Sequence, residues 1–335
     1  MKSKKIHYGF IESLNMWPFK NFHPQGVIPA TLLAFKNDFS IDEAATRAHI
    51  RHVAAVENIS SITVNGHASE VHACSDDEQR YILDLALNEV GDRLPLITGV
   101  WADGSHQAAK IAKWAERAGA SALLIFPPQP IMMMQGQFKP EMAISHFKTI
   151  ADATNLPLIA FQYPENYAYQ MNTLHRMIDE IPTLIAIKDW NMGQVHEAHV
   201  RELQDVARKF TVLSTNSGWL MGSLTMGAKG VLSGSGSVIA DLQVALFQAV
   251  KSGNLPKAQK INDRIYPTAK CFYGLPTTDM HNRMKEALVM LGRLPRAIVR
   301  PPLVKLSQSE LYTIRIAIKK SGLSYQGAMN LEKES

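Results

Sequence analysis

Between residues 26 and 251, short apolar runs alternate with longer amphipathic stretches, and the alternation repeats eight times. The runs are Gly26–Leu33, Ile59–Val64, Leu94–Val100, Ala120–Phe126, Leu156–Tyr163, Thr183–Lys188, Thr211–Ser214 and Gly230–Ser233. Each is too short for a stable helix and reads as a strand. They are continuous apolar runs rather than two-faced alternations, as in parallel strands covered by helices on both faces. The stretches between them read as helices, among them 75–90, 105–118, 140–154, 173–180, 194–209, 219–227 and 241–251. Ser40 with Glu43, and Ser75 with Glu78, have the spacing of capping boxes and predict helix starts. Eight strand–helix units predict an α/β fold, a closed (β/α)8 TIM barrel over residues 26–255. A doubly wound open sheet is the alternative, but no strand runs into GxGxxG or a P-loop.

From about residue 256 the strands stop. Helices are predicted over Pro256–Phe272, Asp279–Leu291 and Ser307–Ser321, giving a C-terminal helical segment, 256–335, too short to be an enzyme by itself. Residues 1–25 form an N-terminal extension in which Tyr8, Phe10, Trp17 and Phe19 point to packing rather than a free tail.

Composition narrows the function classes. The net charge of +5 comes from scattered basic residues, without a basic stripe interleaved with aromatics, so nucleic acid is not an expected partner. No apolar run reaches 18 residues, so no membrane span is expected. Residues 6–21 contain Glu12, Asn15 and Lys20 and do not read as a signal peptide. Cys74 and Cys271 cannot make a disulfide framework or a metal cluster, and agree with a reducing cytoplasm. His72, His196 and His199 lack a matching set of carboxylates, so no metal site is expected.

In such a barrel, chemistry sits at the carboxyl ends of the strands. That rule selects Gly66–Glu70, Phe126–Pro130, Phe161–Pro164, Lys188–Asp189, Ser214–Ser217 and Ser233–Ser237. Within this set Lys188 ends a buried apolar run. Burial lowers an amine's pKa, and a neutral amine is the nucleophile that attacks a carbonyl to form a Schiff base. Against this stands the ordinary alternative, a strand-end lysine that snorkels to solvent.

In order, these segments resemble the dihydrodipicolinate synthase / N-acetylneuraminate lyase family of class I, Schiff-base-forming barrels. Ile187–Asp189 resembles the family's lysine strand, and Gly230-Val231-Leu232-Ser233 its Gly-Val-Ile-Ser. Lys285–Leu288, Leu291-Gly292 and Val299-Arg300-Pro301-Pro302-Leu303 resemble its C-terminal helices and Arg-Pro-Pro-Leu turn. The resemblance implies a cytoplasmic homotetramer built as a dimer of dimers, with no external cofactor. It places Gly66, Ala68, Phe161, Asn166, Leu232 and Ser233 around the substrate.

The departures are specific. The family's Gly-Thr-Thr-Gly-Glu loop is Gly66-His67-Ala68-Ser69-Glu70 here, so both hydroxyls that help to hold the keto-acid carboxylate are gone. Its Tyr-Asn-x-Pro is Phe161-Gln162-Tyr163-Pro164, so the proton-relaying tyrosine is Phe161. Phe126-Pro127-Pro128-Gln129 lacks the partner-subunit tyrosine, and Asn166 replaces the synthases' arginine. His67, whose ordinary pKa lies near neutrality, becomes the leading replacement acid/base, with Tyr163 its competitor. The expected function is therefore a Schiff-base lyase in which Lys188 condenses with a pyruvate-like or sugar-derived 2-oxo acid and which is not a lysine-pathway synthase. A catalytically silent member that binds a keto or sugar acid as a sensor is the alternative.

Overall fold

The computed structural model describes residues 19, 22–164 and 167–324. Eight strands lie in one sheet: β1 (Gly26–Pro29), β2 (Ile62–Val64), β3 (Leu96–Val100), β4 (Ala122–Ile125), β5 (Leu158–Gln162), β6 (Leu184–Asp189), β7 (Thr211–Ser214) and β8 (Gly230–Ser233). All pairings are parallel, in the order β1-β8-β7-β6-β5-β4-β3-β2. The two end strands meet through parallel bridges Val27–Ile59 and Ala30–Thr63, which close the sheet into a barrel. The helices are α1 (Glu43–Ala54), α2 (Asp76–Val90), α3 (Ser105–Ala118), α4 (Gln129–Met132), α5 (Pro140–Ala151), α6 (Met171–Glu180), α7 (Gly193–Gln204), α8 (Leu220–Thr225), α9 (Gly236–Lys251), α10 (Leu255–Phe272), α11 (Met280–Met290) and α12 (Gln308–Lys320). None of the described helices is long and apolar enough to cross a membrane.

Successive strand residues face opposite sides, and the core divides accordingly. Leu123, Ile125, Leu158, Ala160, Leu184 and Ile187 pack with the helices outside the barrel. Ala122, Leu124, Ile159, Phe161, Ala186 and Leu232 fill its interior. β6 carries one extra residue, Ile185, between the pairs Leu158–Leu184 and Ile159–Ala186. This bulge shifts the phase of the strand. Lys188 thereby falls on the inward face with Ala186, and Asp189 on the outward face with Ile187.

Several predicted boundaries move. Helix α2 starts with the Ser75–Glu78 capping box as expected. Helix α1 does not start at Ser40: Asp42 is the N-cap and accepts from Ala45 N, while Ser40 bonds to Asp38. Helix α9 begins five residues before the predicted Asp241, with a break in helical geometry at Ile239. Its first residue, Gly236, lies against β1 so closely that a Cβ would meet Pro29 Cα at 2.9 Å. The helix start is thus packed closely on the strand. Of the N-terminal extension, Tyr8, Phe10 and Trp17 lie outside the described residues.

Helices α10 and α11 are not a separate layer. Ile261, Ile265, Phe272, Met284 and Leu288 are buried in the same cluster as the barrel interior.

Candidate active site

Lys188 ends β6 inside the barrel, 5 % exposed, paired in register with Phe161 of β5. Its Nζ lies 4.0 Å from the centre of the Phe161 ring. Among the described residues it has no hydrogen-bond partner. The aromatic face favours the charged form, but burial wins and lowers the amine to about 7.

His67 opens a 3-10 turn, His67–Ser69, that follows β2. Its ring stacks on Phe126 at 4.9 Å and meets the edges of Trp101 and Phe161 at 5.4 and 5.6 Å. Its Nε2 is 2.5 Å from the Tyr163 hydroxyl. Burial, followed by the nearby charges of Lys188, His281 and His72, holds His67 well below the ordinary histidine range. The expected titration near neutrality is therefore corrected: the imidazole is neutral. Burial pushes the Tyr163 phenol up, so the resting pair is a tyrosine O–H donating to a neutral His67 Nε2. Residues read from the sequence as competitors form one hydrogen-bonded unit. Phe161 and Tyr163 share a face, with ring centres 4.5 Å apart.

The turn is held from behind. Ser69 Oγ donates to Thr31 O at 2.9 Å. Glu70, in left-handed backbone geometry at φ 52°, accepts from Lys285 Nζ and from Arg300 N. Lys285 and Glu70 form a fully buried ion pair, and Lys285 also donates to Ile298 O.

On the outer face of β6, Asp189 accepts from His196 Nδ1 at 2.8 Å and His199 Nδ1 at 2.7 Å. Its other oxygen accepts from Asn191 N and Nδ2, and Asn191 Nδ2 reaches Tyr163 O at 2.9 Å. Burial alone would raise the Asp189 carboxyl, but the two histidines hold it well below the usual carboxylate range. His196 and His199 thus do share a carboxylate, the residue after Lys188, in a hydrogen-bonded network that ties the end of β6 to the end of β5.

The model of the dihydrodipicolinate synthetase family matches residues 23–321. The chain belongs to that family. Its members are class I aldolases and lyases, and this chain is an enzyme of that class. Curated 4-hydroxy-tetrahydrodipicolinate synthases from Maridesulfovibrio salexigens and Methanopyrus kandleri are each 25% identical to it, over 303 and 310 residues. The alignments cover 89% and 91% of this chain and 99% of each relative. Two solved structures share the fold. Dihydrodipicolinate synthase from Thermotoga maritima has a TM-score of 0.81 at 24% identity, covering 89% of this chain and 98% of that one. A prophage protein of the dihydrodipicolinic acid synthase family from E. coli K12, solved in complex with pyruvate, has a TM-score of 0.81 at 22% identity, covering 89% and 99%.

Within this family member, one inner chamber is bordered by Lys188, His67, Ala68 and Phe161 together with Ala30, Trp190, Thr215, Gly234, Tyr273, Met280 and His281. Its free volume of about 20 Å³ suits little more than a water molecule, so its walls must yield for a substrate to reach the amine. Tyr163 does not border this chamber and reaches it only through His67; with Trp190 and Tyr273, which do border it, Tyr163 lines a larger outer cavity of about 670 Å³. Gly66, Leu232 and Ser233 do not border the chamber. Leu232 is barrel core, and Ser233 Oγ sits in a hydroxyl cluster with Ser217, Ser235 and the Tyr273 hydroxyl. Asn166 lies outside the described residues. Thr215 and Gly234 fall in stretches that the strand-end rule selects. Tyr273, Met280 and His281 come from the C-terminal helices and carry no local signal of their position.

Proposed function

We propose that the protein is a Schiff-base-forming lyase for pyruvate-like 2-oxo acids, with Lys188 as the nucleophile, and that it is not a lysine-pathway synthase. The observation that carries this reading is the Lys188 amine: buried at the end of β6, without a hydrogen-bond partner among the described residues, so that burial lowers its pKa to about 7. A far larger share is unprotonated at neutral pH than for an ordinary lysine, which is almost entirely charged.

The amine adds to the ketone carbon, and the ammonium nitrogen so formed loses a proton as the alkoxide gains one, giving a neutral carbinolamine. Its hydroxyl leaves as water with a second proton, and a protonated imine remains. The imine then accepts the electron pair of a breaking carbon–carbon bond, or of a breaking carbon–hydrogen bond ahead of water loss. The Tyr163–His67 pair can relay these protons: the neutral imidazole takes the proton that the nitrogen loses, and the tyrosine O–H gives one to the oxygen and is refilled from the imidazolium.

The departure from the synthase reaction is supported at the outer cavity. It is lined by Tyr163, Tyr167, Trp190 and Tyr273 with the amides Asn191 and Asn216, and among the described residues no Lys or Arg borders it. A second substrate bearing a carboxylate would lack a charge-assisted partner there. Phe161 also stands where the family's relay tyrosine would act. The curated relatives carry the synthase name, so direct assay decides. With pyruvate and aspartate semialdehyde, condensation is expected to be negligible, while pyruvate release is expected from some member of a 4-hydroxy-2-oxo acid panel. Condensation at about 1–10³ per second, the usual range for enzymes, would overturn the departure from the synthase reaction.

A further inference from the structure

His281 is the second residue of α11 and reaches the inner chamber from outside the barrel. It is 8 % exposed and has no hydrogen-bond partner among the described residues. Its Nε2 lies 3.0 Å from the point where a Cβ on Gly234 would stand, and Ala68 Cβ lies 3.5 Å from the same point. The imidazole is therefore wedged between the end of β8 and the His67–Ser69 turn, in space that only a glycine at 234 leaves open.

We infer that His281 donates a hydrogen bond to the carboxylate of the 2-oxo acid, beside the backbone of the His67–Ser69 turn, which the family resemblance already places against that carboxylate. Three observations converge on this assignment. The turn presents Ala68 and His67 and so offers no side-chain hydroxyl at its first two positions. The first N–H groups of a helical turn have no partner within it, and His281 sits in the first turn of an 11-residue helix, at its positive end. The field in the chamber is also positive: after burial, the charges of Lys188, Lys285 and His72 lower His281 to about 3. The neutral ring has one N–H to donate, and an anion relieves the potential. The clasp is rigid because Lys285, one turn along α11 from His281, is ion-paired with Glu70, the residue after the turn.

The inference rests on the proposed Schiff-base reading and is tested by borohydride trapping with two probes of equal size. One is pyruvate; the other is pyruvamide, its uncharged amide. Wild type, His281→Ala and His281→Gln are compared by the probe concentration giving half-maximal labelling of Lys188. His281→Ala is expected to raise that concentration for pyruvate about 10- to 100-fold, the worth of a hydrogen bond to a charged group. For pyruvamide it is expected to stay within about threefold. His281→Gln keeps a side-chain N–H and is expected to recover part of the loss, and it carries the comparison if the alanine variant does not fold. An equal loss for both probes, or no change for pyruvate, would overturn the assignment. Absence of any labelling in wild type would overturn the Schiff-base reading itself, and this inference with it, whatever residue stands at 281.

Discussion

A lysine that titrates near 7 behaves differently from one near 10.4, and the difference is measurable at Lys188. Its neutral form is the nucleophile, so the rate of imine formation under limiting pyruvate is expected to rise about tenfold per unit below pH 7 and to level off above about pH 8. A rate still rising tenfold per unit at pH 9 would mean an ordinary, solvated amine. The His67–Tyr163 pair gives a second test. One missing acid/base costs about 10²–10⁴-fold, and two residues on one proton path are not additive. His67→Ala and Tyr163→Phe are each expected to cut turnover at least about a hundredfold, with the double variant close to the worse single. Multiplying losses would separate their roles. Lys188 was legible in the sequence because it closes an apolar run at a strand end. The pairing of His67 with Tyr163 was not, because the two are 96 residues apart and only the closed barrel brings them together. Nor did residue type reveal that burial makes His67 neutral.

The strands and most helices followed from patterning, since each buries a continuous apolar run or face. What patterning missed was the joining of elements. The extra residue in β6 turns Lys188 inward, and a one-residue change of phase is invisible in a continuous run of apolar side chains. The start of α9 was hidden because Gly236 is there for close approach to β1 and Ser237 for its hydrogen bond to Ala30 O. The buried Lys285–Glu70 pair joins α11 to the site turn across 215 residues. Removing one member of a buried pair leaves the other charge unpaired, at a cost of about 3–5 kcal/mol. Lys285→Met is expected to destabilise by about that amount in urea unfolding, and Glu70→Gln added to it to restore much of the loss. A change below about 1 kcal/mol for Lys285→Met would show that the pair is solvated and does not lock α11 to the turn.

At the scale of the whole molecule, the barrel supplies the amine, the turn after β2 and the aromatic wall, while the C-terminal helices supply Tyr273, Met280 and His281. The C-terminal segment is therefore part of the site although it follows the last strand. Its helical character was legible from periodicity, but its contribution of side chains to the chamber was not, because that depends on how α10 and α11 fold back over the strand ends. All of these parts converge on one lysine in a chain with many. The most direct measurement is mass spectrometry of the intact protein and of its peptides after incubation with pyruvate or a longer 2-oxo acid and borohydride. One reduced adduct per chain, located at Lys188 and lost in Lys188→Arg because arginine stays protonated, is the expected result. Labelling that survives the substitution, or no labelling with any acid of a broad panel, would contradict it.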